Sequence, residues 1–95
     1  MPRGTETSVR RQRWRTVRDR EVQRWSALSC DQLLSELSEL KAYEVDYEGK
    51  PHQVEVEILE NTDTYVHVLV AVDDGSLPAS LRPETDSFIR EKKSP

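Results

Sequence analysis

The chain has little cysteine, glycine or phenylalanine: Cys30, three glycines and Phe88 in 95 residues. A single thiol excludes a disulfide framework, and Cys30, His52 and His67 do not fall at the spacing of a zinc site. So few glycines leave no phosphate-cradling loop of the G-x-x-x-x-G-K or G-x-G-x-x-G kind. Long apolar runs are missing as well. The longest, Val66 to Val72, contains His67 and falls far short of the roughly 20 residues that cross a bilayer. Leu, Val, Ile and Phe together make 22 of 95 residues, about 23%, just above the level of roughly 20% below which chains stay disordered. These shortages leave room for one small domain with a small core.

Charge is abundant and unevenly placed. The net charge is −4, from 14 bases and 18 acids, yet residues 1–25 hold eight arginines against Glu6, Asp19 and Glu21, a net of +5. The remaining residues carry −9. The first segment has few apolar residues and reads as an Arg-rich N-terminal arm, 1–25, either disordered or an amphipathic helix. A small α+β domain is expected over 26–91, with a tail over 92–95. On this division the arm is dispensable for folding. It lacks the apolar run of a secretion signal, so a cytoplasmic setting is expected.

Residues 29–41 predict a helix. Ser29 and Gln32 have capping-box spacing, and Cys30, Leu33, Leu34, Leu37 and Leu40 recur at intervals of three and four. Tyr43, Val45 and Tyr47 alternate with acids, as do Val54, Val56 and Ile58, and Thr64 to Val72 is rich in β-branched residues. Turns are expected at Glu48-Gly49-Lys50-Pro51 and Asn61–Asp63, giving an antiparallel meander of three or four strands. The register that stacks the valines best pairs Ile58 with Val66, Val56 with Val68 and Val54 with Val70, and sets Glu57 opposite His67. The leucine stripe of helix 29–41 is expected to cover this ladder. Leu77–Leu81 suits a helical turn. Residues 84–92 fit a dipole-matched helix or an edge strand equally, and either one buries Phe88.

No catalytic, metal or cofactor site can be assembled, so no enzyme is expected. Cys30 lies on the leucine stripe and reads as packing, and Asp73-Asp74-Gly75 lacks the ligand series of a calcium loop. His67 beside a carboxylate reads as a cross-strand charge pair. Two surfaces remain. The solvent face of the sheet carries Glu44, Asp46, Glu55, Glu57, Tyr65 and His67, which suits a non-catalytic adaptor or inhibitor-type module binding a protein with a basic surface. Arg10, Arg11, Arg13, Arg15, Arg18 and Arg20, with Trp14, suit phosphate backbone and base stacking, which makes nucleic acid the alternative partner. A third fate for the arm is docking of Trp14 and Trp25 onto the chain's own acidic domain.

Overall fold

A computed structural model describes the backbone of residues 2–75 and 82–92 and the side chains of residues 9–75 and 82–92. The elements run α1 (Pro2–Ser26), α2 (Cys30–Glu36), β1 (Lys41–Tyr47), β2 (Lys50–Asn61), β3 (Tyr65–Asp73) and β4 (Glu84–Glu91). The four strands form one antiparallel sheet in the order β1-β2-β3-β4. This is an α+β fold: a long helix on a four-stranded meander, with a short second helix. The helical turn expected at Leu77–Leu81 lies outside the described residues.

The covering layer is the arm itself. No proline or glycine falls between Gly4 and Ser26, which lets α1 run to Ser26. Trp14, Val17, Glu21 and Trp25 recur at helical spacing and are all buried, so this stripe faces the sheet. Beneath it lie Val54, Val56, Val66, Val68, Val70 and Val72, each 0% exposed. Of the fates considered for the arm, self-docking is the one observed. A boundary at residue 25 would cut through the core these residues share.

Helix 29–41 is shorter than its pattern predicts. The Ser29–Gln32 capping box forms as expected, with Gln32 N donating to Ser29 Oγ at 3.1 Å and Ser29 N donating to Gln32 Oε1 at 2.9 Å. Leu37 then leaves helical geometry (φ −109°, ψ 33°), and Lys41, expected in the last turn, opens β1 opposite Val56. Strand pairing wins over helix propensity because β1 needs Lys41 and Ala42 to complete its ladder with β2. Seven residues make a helix only about 10 Å long, shorter than the ~14 Å width of four strands. It contributes Leu33 and Leu37 to one end of the core and leaves Leu40 49% exposed.

The β2–β3 register also differs. Ile58 pairs with Val68, Val56 with Val70 and Val54 with Val72, two residues along β3 from the expected pairing. An even slip keeps every side chain on its face, so alternation alone cannot distinguish the two registers. The choice falls to the loop. Asn61 pairs with Val66, a bulge at Leu59 absorbs the mismatch, and Thr62 Oγ1 accepts from Thr64 N at 3.2 Å and Tyr65 N at 3.1 Å. Glu57 therefore faces Leu69, and Glu60 faces His67. Residues 84–91 take the strand alternative and leave Phe88 half-buried against the core.

The first hairpin is tighter than expected. Tyr47 pairs with Lys50, so the turn is Glu48-Gly49 alone, with positive φ at both (53° and 76°), while Lys50 and Pro51 join β2. This is a type I′ turn, which matches strand twist and favours Asn-Gly. Glu48 is a poor fit to left-handed backbone, and its ion pair with Arg13 (3.1 Å) is worth little with the Glu48 side chain 57% exposed. Glu48→Asn is expected to raise stability by about 0.5–1 kcal/mol, read as a higher thermal midpoint.

Candidate functional site

The sheet has two chemically opposite faces. On the covered face, α1 presents its arginines to the chain's own acids and carbonyls. Glu84, at the start of β4, accepts three of them: Arg11 at 3.1 Å, Arg18 at 3.3 Å and Arg15 at 3.5 Å. These positions lie one and two helical turns apart, so one helix face converges on one carboxylate. Arg11 Nη1 also donates to the Arg82 carbonyl at 2.6 Å. Arg10 pairs with Asp74 at 3.5 Å and Arg13 with Glu48, while the Arg20 guanidinium lies 4.8 Å over the Tyr47 ring. Trp14, expected among the phosphate-binding residues, is 1% exposed, and the Arg11 guanidinium stacks over its ring. Every arginine singled out for phosphate is thus engaged within the chain, and the indole offered for base stacking is in the core.

Among the described residues no helix lies over the opposite face. Pairing and alternation put Glu44 and Asp46 of β1, Glu55, Glu57 and Glu60 of β2, Tyr65, His67 and Asp73 of β3, and Glu91 of β4 on this side. The six residues expected to bind protein are all brought together there. The lysines and arginines of the strands (Lys41, Lys50 and Arg90) fall on the covered side, so the open face carries no described lysine or arginine. Beside the acids runs an apolar strip of Leu69, Ala71 and Ile89, the last 57% exposed.

A polar cluster occupies the end of this face. Tyr65 Oη donates to Glu60 Oε1 at 3.0 Å, which raises the phenol's pKa, and His67 Nδ1 lies 3.7 Å from the same oxygen. His67 Nε2 is 3.0 Å from Ser87 Oγ. Ser87, His67 and Glu60 have the order of a nucleophile, base and orienting acid, but the acid stands beyond hydrogen-bond reach of Nδ1. Ser87 N is already bound to Asp86 Oδ1 at 2.8 Å, so that donor is not free for an oxyanion. Glu60 and Ser87 escape the sequence reading because the expected register places Glu57, not Glu60, opposite His67. Among the described residues no group of His, Cys, Asp and Glu is arranged to hold a metal ion, and no helix is long and apolar enough to cross a membrane.

A second polar cluster, invisible in the sequence, joins α1 to β1. Glu21 is buried and accepts from both Tyr43 Oη and Arg24 Nη1 (2.9 Å), and Trp25 Nε1 donates to Tyr43 Oη at 2.7 Å. Burial first, and then the Glu21 carboxylate, push the Tyr43 pKa up to about 12. A phenol whose folded pKa lies above its unfolded value of about 10 stabilises the fold below pH 10, and that stabilisation is lost as pH rises from 10 to 12. Absorbance titration is expected to show one of the three tyrosines ionising near pH 12, with Tyr43→Phe removing that step. Next to this cluster, a groove of about 810 Å³ opens between α2 and the outer edge of β1, flanked by Asp31, Gln32, Ser35, Glu36, Lys41 and Ala42.

Comparison with protein-family models, with curated proteins and with solved structures finds no match to this chain.

Proposed function

We propose that this protein is a non-catalytic interaction module whose open sheet face receives a basic surface of another protein. The observation that carries the reading is the segregation of charge across the sheet. Glu44, Asp46, Glu55, Glu57, Glu60, Asp73 and Glu91 share a face with no described lysine or arginine, while the arginines of α1 are spent on the covered side. A field of one sign around an apolar strip steers and orients a partner of the opposite sign. The same field opposes face-to-face pairing of two copies, since like charges would meet. The alternative, nucleic acid bound through the arm, requires phosphate to displace Asp74, Glu48 and Glu84 from their arginines.

The test is a salt series with full-length protein, titrated in parallel with fluorescent polylysine and with an oligonucleotide. Polylysine is expected to bind at low salt, and Glu55→Gln with Glu57→Gln to weaken it several-fold. Tight oligonucleotide binding near physiological salt, lost when Arg10 and Arg15 become Ala, would overturn the reading and favour nucleic acid.

A further inference from the structure

The two edges of the sheet are finished differently. Lys92 N donates to Thr64 O at 2.8 Å, which sets the hydrogen-bonding phase of β3–β4 and turns the backbone groups of Thr85, Ser87, Ile89 and Glu91 outward. The chain's own side chains blunt that edge. Arg18 Nη1 reaches Thr85 O at 3.5 Å, Asp86 Oδ1 takes Ser87 N, and Cys30 Sγ lies 3.4 Å from Glu91 O. At the other edge, the two-residue turn makes Tyr47 and Lys50 a hydrogen-bonded pair, so alternation points the N–H and C=O groups of Ala42, Glu44 and Asp46 outward. Pro51 fits this phase, since it stands opposite Asp46 where no N–H is needed. None of these outward groups has a hydrogen-bond partner among the described residues. The groove between α2 and β1 runs beside them.

Charge selects the occupant. Asp31 on the groove wall and Glu44 and Asp46 along the edge pair with no cation among the described residues, whereas Lys41 is held by Glu36 at 2.7 Å and Arg24 by Glu21. Antiparallel pairing of β1 with a second copy of itself would bring these acids together, which is how natural edges resist self-association. A strand with lysine or arginine on the side of Glu44 and Asp46, and apolar residues on the side of Tyr43, Val45 and Tyr47, meets both faces of the edge. We propose that the outer edge of β1 accepts an extended peptide of alternating basic and apolar residues as a fifth strand, with one end seated in the groove beside α2. Backbone hydrogen bonds supply the affinity and the alternating side chains the specificity. The inference rests on the reading of a basic protein partner and adds how that partner docks.

The experiment uses full-length protein and a fluorescein-labelled peptide of alternating valine and lysine, with polylysine as a second probe. Ala42→Pro removes one outward N–H and obstructs the incoming strand, without touching the β1–β2 ladder or the charge. It is expected to weaken the alternating peptide about tenfold or more, while Ala42→Ser binds as the unaltered protein does. Amide hydrogen exchange at Ala42, Glu44 and Asp46 is expected to slow when the unaltered protein binds the peptide, a readout that does not depend on the proline variant folding. If Ala42→Pro binds equally well and those amides stay unprotected, strand addition is overturned and the basic-partner reading survives. If neither probe binds at low salt, both are overturned. Protection of the same amides in the free protein at rising concentration would make a second copy the occupant and overturn the proposal.

Discussion

Removal of residues 2–26 is expected to abolish cooperative thermal unfolding. The deletion takes away Trp14, Val17 and Trp25 and exposes a valine ladder on which six side chains are now fully buried. Burial of each valine contributes roughly 1.5–3 kcal/mol, so exposing the ladder forfeits an amount comparable to the whole ~5–14 kcal/mol stability of a chain of 95 residues. The short α2 cannot replace the lost layer. Point variants refine the claim. Trp14→Ala is expected to cost about 3–5 kcal/mol, through lost burial and the cavity left behind. Trp14→Phe should cost much less than the change in area implies, because Trp14 Nε1 is buried without a hydrogen-bond partner in the described structure. Deleting that N–H relieves a desolvation penalty of about 1–3 kcal/mol. Thermal melts of the three variants check this, and a truncated chain with a sharp transition would contradict the shared core.

Glu84→Gln is expected to destabilise by about 1–3 kcal/mol. Its carboxylate is 17% exposed and shared by Arg11, Arg15 and Arg18, so the glutamine leaves three guanidinium groups converging on a neutral amide. The cost stays below that of breaking a fully buried pair because each arginine keeps some contact with water. Arg15 is 46% exposed, so Arg15→Ala should lose well under 1 kcal/mol. Denaturant midpoints of the two variants decide the matter. An equal loss at both sites would mean that the Arg15 pair alone carries the interaction, not a carboxylate shared among three arginines.

How much of this was legible in the sequence depended on which physical signal each element left. Capping at Ser29, the alternation of β1 to β3 and the side of the sheet taken by Glu44, Asp46, Glu55, Glu57, Tyr65 and His67 all follow from local patterns. Each is set within a few residues. The α1 stripe was harder to see because its buried positions include Glu21, a charged residue that packs only because Tyr43, Arg24 and Trp25 stand around it. Arginine-rich composition suggested an arm seeking phosphate. The acids that answer those arginines, Glu84, Glu48 and Asp74, lie 35 or more residues away, and nothing local announces them. Pattern also left the β2–β3 register open to an even slip. With it went the Glu60–His67–Ser87 cluster, which depends on the bulge at Leu59. The helix stops short of 41 for a related reason, since strand pairing at Lys41 is a long-range contact that overrides the leucine spacing.

The most direct test of the charge segregation is a two-dimensional amide NMR titration of the full chain with polylysine at low salt. Shifts are predicted to concentrate at Glu44, Asp46, Glu55, Glu57 and His67 and to fade as salt is added, with the amides of α1 unmoved. Shifts confined to α1 and to the Glu84 region, with the open face silent, would contradict it.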